Sequence, residues 1–247
     1  MIKVMTFNIQ HGIDHLHRMK TKEMKVDLDK VVNLIKKYSP DIVGLNEVYD
    51  APHPFLEKQA KYIASKLGYN YQFGKAIDIK NGHYGNALLS KYPVVNTEII
   101  KIPDPIVKNE NVFYESRCII KSIIKVNGEA YNVLVSHFGL AESERKNATD
   151  TLLKCIENLD NVIFMGDLNM ERENLNIQRI ENKLKNCLIS ENYTYPSDNP
   201  KIKIDYIFVS KDMGINDSQI INEVVSDHLP HITTILKKNI KNVKTFL

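Results

Sequence analysis

A chain of 247 residues with 43% hydrophobic side chains has material for a sizeable core, which argues against a disordered or fibrous protein. Its formal net charge is only +3, a slight surplus for a protein that grips long duplex DNA mainly through phosphates. No run of roughly 18 apolar residues occurs, so neither a membrane span nor stable membrane insertion is expected.

Residues 1–8 read as a strand that leads straight into a polar motif, leaving no room for the apolar core of a signal peptide. With that start a cytoplasmic location is expected. Further strand-like runs, rich in Val, Ile and aromatic residues, fall at 42–46, 86–90, 94–102, 118–126, 131–136, 162–165, 204–209 and 232–236, after a first at 2–9. Asn127-Gly128 lies between two of them and marks a hairpin turn. Helical spacing appears in Val31, Leu34, Ile35 and Tyr38 after Asp27 and Asp29, which suit a helix N-terminus. A second helix carries Phe55, Ala60, Ile63, Ala64 and Leu67 and stops at Gly68, and a third spans 143–159. Hairpins mixed with helices and no linker predict an α+β protein with one domain over 1–247. Cys118, Cys155 and Cys187 are widely spaced and in no metal-ligand pattern, so they read as idle thiols of a reducing compartment.

Polar residues that end apolar strands carry the chemistry, because a strand buries its middle and its tip can face a shared mouth. Such places are Thr6-Phe7-Asn8, Asn46-Glu47, Tyr84-Gly85-Asn86, Ser136-His137-Phe138, Gly166-Asp167-Leu168-Asn169 and Ser226-Asp227-His228, with Asp205 opening one more strand. Glu47, Asp167 and Asp227 are hard oxygen ligands, and Asn8 and Asn169 add amide oxygens. An oxygen-only set suits Mg²⁺ or Mn²⁺, whereas Zn²⁺ would favour His or Cys at short spacing from the acids. His228 with Asp205 would form a pair in which the carboxylate orients the ring and favours its charged form. His137 is the second acid–base candidate.

In order and placement, Thr6-Phe7-Asn8, Gly44-Leu45-Asn46-Glu47, Gly166-Asp167-Leu168-Asn169, Ile204-Asp205-Tyr206 and Ser226-Asp227-His228 resemble the motifs of the endonuclease/exonuclease/phosphatase superfamily. That superfamily includes deoxyribonuclease I, AP endonucleases, neutral sphingomyelinases and inositol polyphosphate 5-phosphatases. The resemblance implies a four-layer α/β/β/α sandwich of two packed sheets with helices outside. It implies Glu47 as principal metal ligand with Asn8 beside it, Asp227 as a further metal-site acid, and Asp167 with Asn169 positioning the water and the scissile phosphate. His228, backed by Asp205, resembles the histidine that contacts the phosphate. His137 matches the second histidine of deoxyribonuclease I, and Arg117 a phosphate-contacting arginine.

Two departures narrow the branch. Gln10 stands where AP endonucleases carry an aspartate, and the chain has no tryptophan. Asn86 either lines the cleft, as a substrate-binding residue, or bonds a turn. His11, His15, His17, His53, His83 and His231 read mostly as surface or packing residues, although the segment from His11 to His15 follows the Asn8 motif closely enough to touch substrate. The basic tail with Lys237, Lys238, Lys241 and Lys244 reads as a solvated end.

The expectation is a monomeric Mg²⁺-dependent phosphodiesterase whose partner is a phosphate-ester substrate, with loops 10–25, 104–115 and 193–203 choosing the ester. A phosphomonoesterase or phospholipid head-group hydrolase is the alternative within the enzyme class. A catalytically silent binding protein on the same scaffold is the alternative outside it.

Overall fold

The structure is a computed structural model and describes residues 1–51, 58–188 and 192–236. Phe55 and His53, and the basic tail with Lys237, Lys238, Lys241 and Lys244, lie outside the described residues. In chain order the elements are β1 (Ile2–Asn8), a 3₁₀ turn (Gln10–Gly12), α1 (His15–Thr21), α2 (Leu28–Tyr38), β2 (Ile42–Asp50), α3 (Gln59–Leu67), β3 (Asn70–Ile79) and β4 (Gly82–Ser90). They continue with β5 (Val94–Lys101), β6 (Cys118–Val126), β7 (Glu129–Ser136), α4 (Glu142–Ile156), β8 (Val162–Asp167), α5 (Leu175–Lys183), β9 (Leu184–Asn186), β10 (Asp205–Ser210), β11 (Gly214–Ile220) and β12 (His231–Leu236).

Two mixed six-stranded sheets result, in the orders β11-β12-β1-β2-β4-β3 and β5-β6-β7-β8-β10-β9. Side chains alternate along each strand, so every central strand feeds two cores at once. Ile2 and Val4 of β1, Ile42 of β2 and Leu88 of β4 meet Ile120, Val133, Val135, Ile163, Met165 and Ile207 of the other sheet. The intervening residues Met5, Phe7, Val43, Leu45, Ala87 and Leu89 pack on Val31, Leu34 and Ile35 of α2 and Ile63 of α3. Leu134, Phe164, Tyr206 and Phe208 pack on Ala148 and Leu152 of α4 and Ile177 and Ile180 of α5. The layers are therefore helix, sheet, sheet, helix, as the resemblance implies. Each fully buried large side chain among them contributes about 1.5–3 kcal/mol.

Local signals act where the sequence places them. Gly68 closes α3 in the left-handed region, with its N–H donating to the Ala64 carbonyl. Asn127 (φ 50°) and Gly128 (φ 86°) turn β6 into β7 with both φ values positive, as a two-residue hairpin needs. The third helix ends at Ile156, short of Leu159, whose N–H makes a turn to the Ile156 carbonyl instead.

The unforeseen strands β3, β9 and β11 are edge or near-edge pieces with mixed exposure, so no apolar run marks them. Loop 10–25 is also part helix. Asp14 caps α1 by accepting from His17 N–H at 3.1 Å, but α1 buries no residue and so shows no apolar period. Among the described residues, no helix is long and apolar enough to cross a membrane.

Candidate active site

The alternation that builds the inter-sheet core continues past its last apolar residues. On β1 the inward series Ile2, Val4 is extended by Thr6 and Asn8, and on β2 Ile42 is followed by Gly44 and Asn46. On β8 it runs Ile163, Met165, Asp167, and on β10 it begins at Asp205 before Ile207 and Val209. Because β1 runs parallel to β2, β7 parallel to β8, and β10 antiparallel to β8, these polar positions gather at one end of the sandwich. The two layers thus bring distant motifs together with the period-two rule alone.

Glu47 does not follow that phase, and a backbone irregularity re-aims it. The β2–β4 register shifts between Leu45 and Val48, and Glu47 has φ 57°, a left-handed conformation that costs a non-glycine residue energy. Asn169 (φ 52°), Gln10 (φ 43°) and His11 (φ 56°) share that unusual region at the same end. Gly166 has φ 153°, and a Cβ there would lie 1.8 Å from the Ser136 carbonyl oxygen, so Asp167 follows a position that admits no side chain.

Asp167 is the hub. Its Oδ2 accepts from Asn8 Nδ2 at 3.0 Å, its Oδ1 from the Asn169 N–H at 2.9 Å, and its own N–H donates to Asn46 Oδ1 at 2.9 Å. His137 Nε2 lies 3.5 Å and His228 Nε2 3.7 Å from Oδ2. On its other side His228 Nδ1 meets Asp205 Oδ2 at 2.9 Å. Asp205 and Asp167 are direct partners on adjacent strands, an arrangement of like charges that the histidine between them makes tolerable. Asn8 also donates from Nδ2 to Glu47 Oε1 at 3.1 Å, while its Oδ1 takes the Gln10 N–H. So oriented, Asn8 bridges two acids through its nitrogen, and an oxygen-ligand role requires the amide to turn over.

Burial alone would lower the His228 pKa, but the charges of Asp205 and Asp167 outweigh it and raise the ring to about 10. Burial raises the Asp167 carboxyl well above the usual carboxylate range, against the His228 charge and with that of Asp205. Asp227 is raised as well, by burial and, against His228, by the charge of Glu47. Burial, then the Arg117 guanidinium, holds His137 well below its ordinary value. Arg117 can only donate, and its Nη1 lies 3.1 Å from His137 Nδ1. The neutral ring therefore keeps its proton on Nε2, facing Asp167 Oδ2, and the Asn169 amide nitrogen beside it donates to the Phe138 carbonyl.

These groups line a cleft of about 370 Å³, walled by Glu47, Arg117, His137, Asp167, Asn169 and His228 together with Arg145, Tyr195 and Asp227. The model of the Endonuclease/Exonuclease/phosphatase family matches residues 5–228. The chain belongs to the endonuclease/exonuclease/phosphatase family. It is 26% identical over 223 residues to an uncharacterised Escherichia coli protein, YbhP, covering 84% of each chain. It is similar in structure to the endonuclease/exonuclease/phosphatase from Bacteroides vulgatus, with a TM-score of 0.77, 20% identity and coverage of 95% and 98%. A mannosyl-6-phosphatase from Bacteroides thetaiotaomicron matches at a TM-score of 0.75 and 14% identity, covering 96% and 100%.

Within this endonuclease/exonuclease/phosphatase fold, one sequence expectation is corrected. Asn86 is 1% exposed and does not line the cleft. Its Oδ1 accepts from Asn46 Nδ2 at 2.8 Å and its Nδ2 donates to the Cys118 carbonyl at 3.3 Å, so its amide is occupied in bracing Asn46. Arg117 does reach the cleft, held by Glu115 at 2.6 Å.

His231 is buried against Ser218, and His83 pairs with Asp78 on the surface. His11 stacks on Tyr49 at 4.2 Å and approaches Glu47 with Nε2 3.7 Å from Oε2.

Two cleft residues, Tyr195 and Arg145, belong to none of the sequence motifs. Tyr195, its ring 4.8 Å from His228, lies in a segment that braces the Ser226-Asp227-His228 motif: Ser197 N–H donates to the Asp227 carbonyl and Leu229 N–H to Thr194. Arg145 comes from α4, and Gln10 donates from Nε2 to Asp227 Oδ2 at 2.6 Å. The last contact accounts for the departure at position 10, because a neutral amide there holds an acid that a second carboxylate would repel.

The donor chemistry fits a hard divalent cation. Glu47 and Asp227 are cleft-facing carboxylates, and hard oxygen donors of this kind suit such an ion. Asp167, Asp205 and His228 also offer atoms within 4.8 Å of one another, and Asp205 Oδ1 is buried with no hydrogen-bond partner among the described residues. The His228 ring links the two carboxylates, Nδ1 to Asp205 and Nε2 toward Asp167, so this second group reads as a proton-sharing network.

Proposed function

We propose that this chain hydrolyses phosphate esters, phosphodiesters foremost, with Mg²⁺ or Mn²⁺ as its cofactor. The carrying observation is the position of Asp167 between two histidines pushed in opposite directions: His228 is raised by Asp205 and Asp167, and His137 is lowered by burial and by Arg117. Sites whose titratable groups are pushed apart in this way are suited to acid–base work.

Glu47 and Asp227, with Asn8 beside them, are the residues we assign to the cation, which when bound supplies positive charge to the phosphate and the leaving oxygen. Asp167, its carboxylate made more basic by burial, takes a proton from the attacking water as the water oxygen bonds to phosphorus. Asn169 and the His137 Nε2–H donate to the phosphate oxygens, and the His228 imidazolium offsets the charge that grows on them. The bond from phosphorus to the leaving oxygen breaks, and that oxygen is protonated from solvent at the open mouth. His137 thus acts as a hydrogen-bond donor, since a neutral ring has no spare proton to give as an acid.

A terminal monoester is the second reading. Arg117 and Arg145 both line the cleft, and paired guanidiniums suit a dianionic phosphate.

The test is hydrolysis of bis-p-nitrophenyl phosphate and p-nitrophenyl phosphate by purified protein with Mg²⁺ or Mn²⁺. Asp167→Asn and His228→Ala should each lower turnover on the order of 10²-fold or more. Undiminished turnover in both variants would defeat the proposal.

A further inference from the structure

A second cleft, of about 500 Å³, opens beside the first and shares Tyr195 and Asp227 with it as a common wall. Its other walls are Pro196 and, from the 3₁₀ turn, α1 and the C-cap of α1, Gln10, His15, Arg18, Met19 and Lys22. None of these side chains has a part in the chemistry proposed above.

Several polar atoms here lack a hydrogen-bond partner among the described residues. Arg18 and Lys22 are exposed and make no ion pair among the described residues, whereas the neighbouring Lys30 is paired with Asp14 at 2.6 Å. Both ring nitrogens of His15 are buried without a hydrogen-bond partner among the described residues, the nearest charge being Asp198 Oδ1, 3.5 Å from Nε2. Gln10 Oε1 is also buried and unpartnered, although Gln10 Nε2 donates to Asp227. Buried polar atoms left unpaired are costly and uncommon, and several converging on one cleft indicate a ligand that completes them.

Charge decides what that ligand is. Arg and Lys only donate, and a histidine ring can present an N–H, so the wall formed by α1 asks for an anion. Of the carboxylates beside it, Asp198 faces only His15 Nε2, at 3.5 Å, and Asp227 has both oxygens engaged, Oδ1 by the Ser226 hydroxyl and Oδ2 by Gln10. Gln10 Oε1 asks for a donor such as a hydroxyl close to the anion.

We propose that this cleft is a second anion subsite, which takes a further phosphate group of the substrate while the first cleft holds the phosphate that is cut. The preferred esters then carry two phosphates, with a hydroxyl near the second. This rests on the phosphoesterase reading and assigns its substrate class. The second phosphate can belong to a small bisphosphorylated molecule or to the next link of a nucleotide chain, and Tyr195 is the ring shared by both subsites.

The experiment compares wild type with the Arg18→Gln/Lys22→Gln double variant on substrates paired by one phosphate. The pairs are thymidylyl-thymidine with and without a 5′-phosphate, and glucose 1,6-bisphosphate against glucose 6-phosphate. Bis-p-nitrophenyl phosphate serves as the reference that carries no second anion. For at least one pair, the variant should raise KM for the doubly charged member by on the order of 10-fold, as loss of charge-assisted hydrogen bonds does, and leave kcat and the reference within about twofold. The pair that responds identifies the source of the phosphate.

An equal loss on both members of every pair, or no loss on any, overturns the subsite. Calorimetric titration of inorganic pyrophosphate into both proteins separates this from the broader reading. Binding that the double variant weakens, in a protein that cleaves no ester, sustains the subsite and removes the hydrolase. Hydrolysis of the reference with pyrophosphate binding equal in both proteins does the reverse.

Discussion

His228 Nδ1 lies 2.9 Å from Asp205 Oδ2, between a strand end and a loop separated by 22 intervening residues, and both side chains are buried. The carboxylate fixes the tautomer, turns Nε2 toward Asp167, and keeps the ring charged. Asp205→Asn should therefore preserve the fold and lower kcat by on the order of 10²-fold, with KM much less affected. Steady-state kinetics on bis-p-nitrophenyl phosphate check this, and an unchanged kcat would remove Asp205 from the mechanism.

The same pair makes stability depend on pH. The folded pKa of His228 is about 10, above the ordinary 6.5, so the folded chain holds a proton that the unfolded chain releases earlier. The contribution is fully present below 6.5 and is lost as pH rises toward about 10. Within that window, this group lowers stability by at most about 1.4 kcal/mol per pH unit. Urea midpoints across the window should fall with pH in wild type and fall less steeply in His228→Gln.

Glu47 combines a left-handed backbone with a cleft-facing acid. Glu47→Gly should relieve the backbone strain and leave stability equal or higher by about 0.5–1 kcal/mol, while activity is lost. Adding Mg²⁺ or Mn²⁺ should raise the wild-type Tm and should not raise that of Glu47→Gly or Glu47→Gln. Thermal melts with and without the cation read both effects, and an undiminished cation shift in both variants contradicts the assignment of Glu47.

At Gly166 a methyl group would meet the Ser136 carbonyl at 1.8 Å, and that carbonyl already accepts from Asn46 Nδ2. Gly166→Ala should cost several kcal/mol, on the order of 3 or more, because the neighbour is backbone and the conformation itself is unfavourable. Denaturant unfolding of the variant measures it.

Asn86→Ala removes an acceptor from Asn46 Nδ2 and leaves the Cys118 carbonyl with one donor fewer. A loss of about 1–3 kcal/mol in stability is expected, with KM little changed because Asn86 is out of substrate reach. A large rise in KM at unaltered stability would return Asn86 to the binding surface.

The layers and most of the candidate residues were legible in the amino-acid sequence. Alternating apolar runs marked nine strands, and the polar residues just beyond them, Asn8, Glu47, Asp167, Asn169 and His228, sit at one end because a strand exposes its tip. The surroundings of these groups come from contacts between distant parts of the chain. His137 is held neutral by burial and then by Arg117, and Asn86 is turned from substrate by Asn46, contacts 20 and 40 residues apart that no local pattern encodes. Edge strands and α1 stayed silent for a related reason: β3 and β11 are half-wet and α1 buries nothing, so neither carries a hydrophobic period. Periodicity records what is buried, and the second cleft, made by the exposed helix that periodicity overlooks, had to wait for the fold.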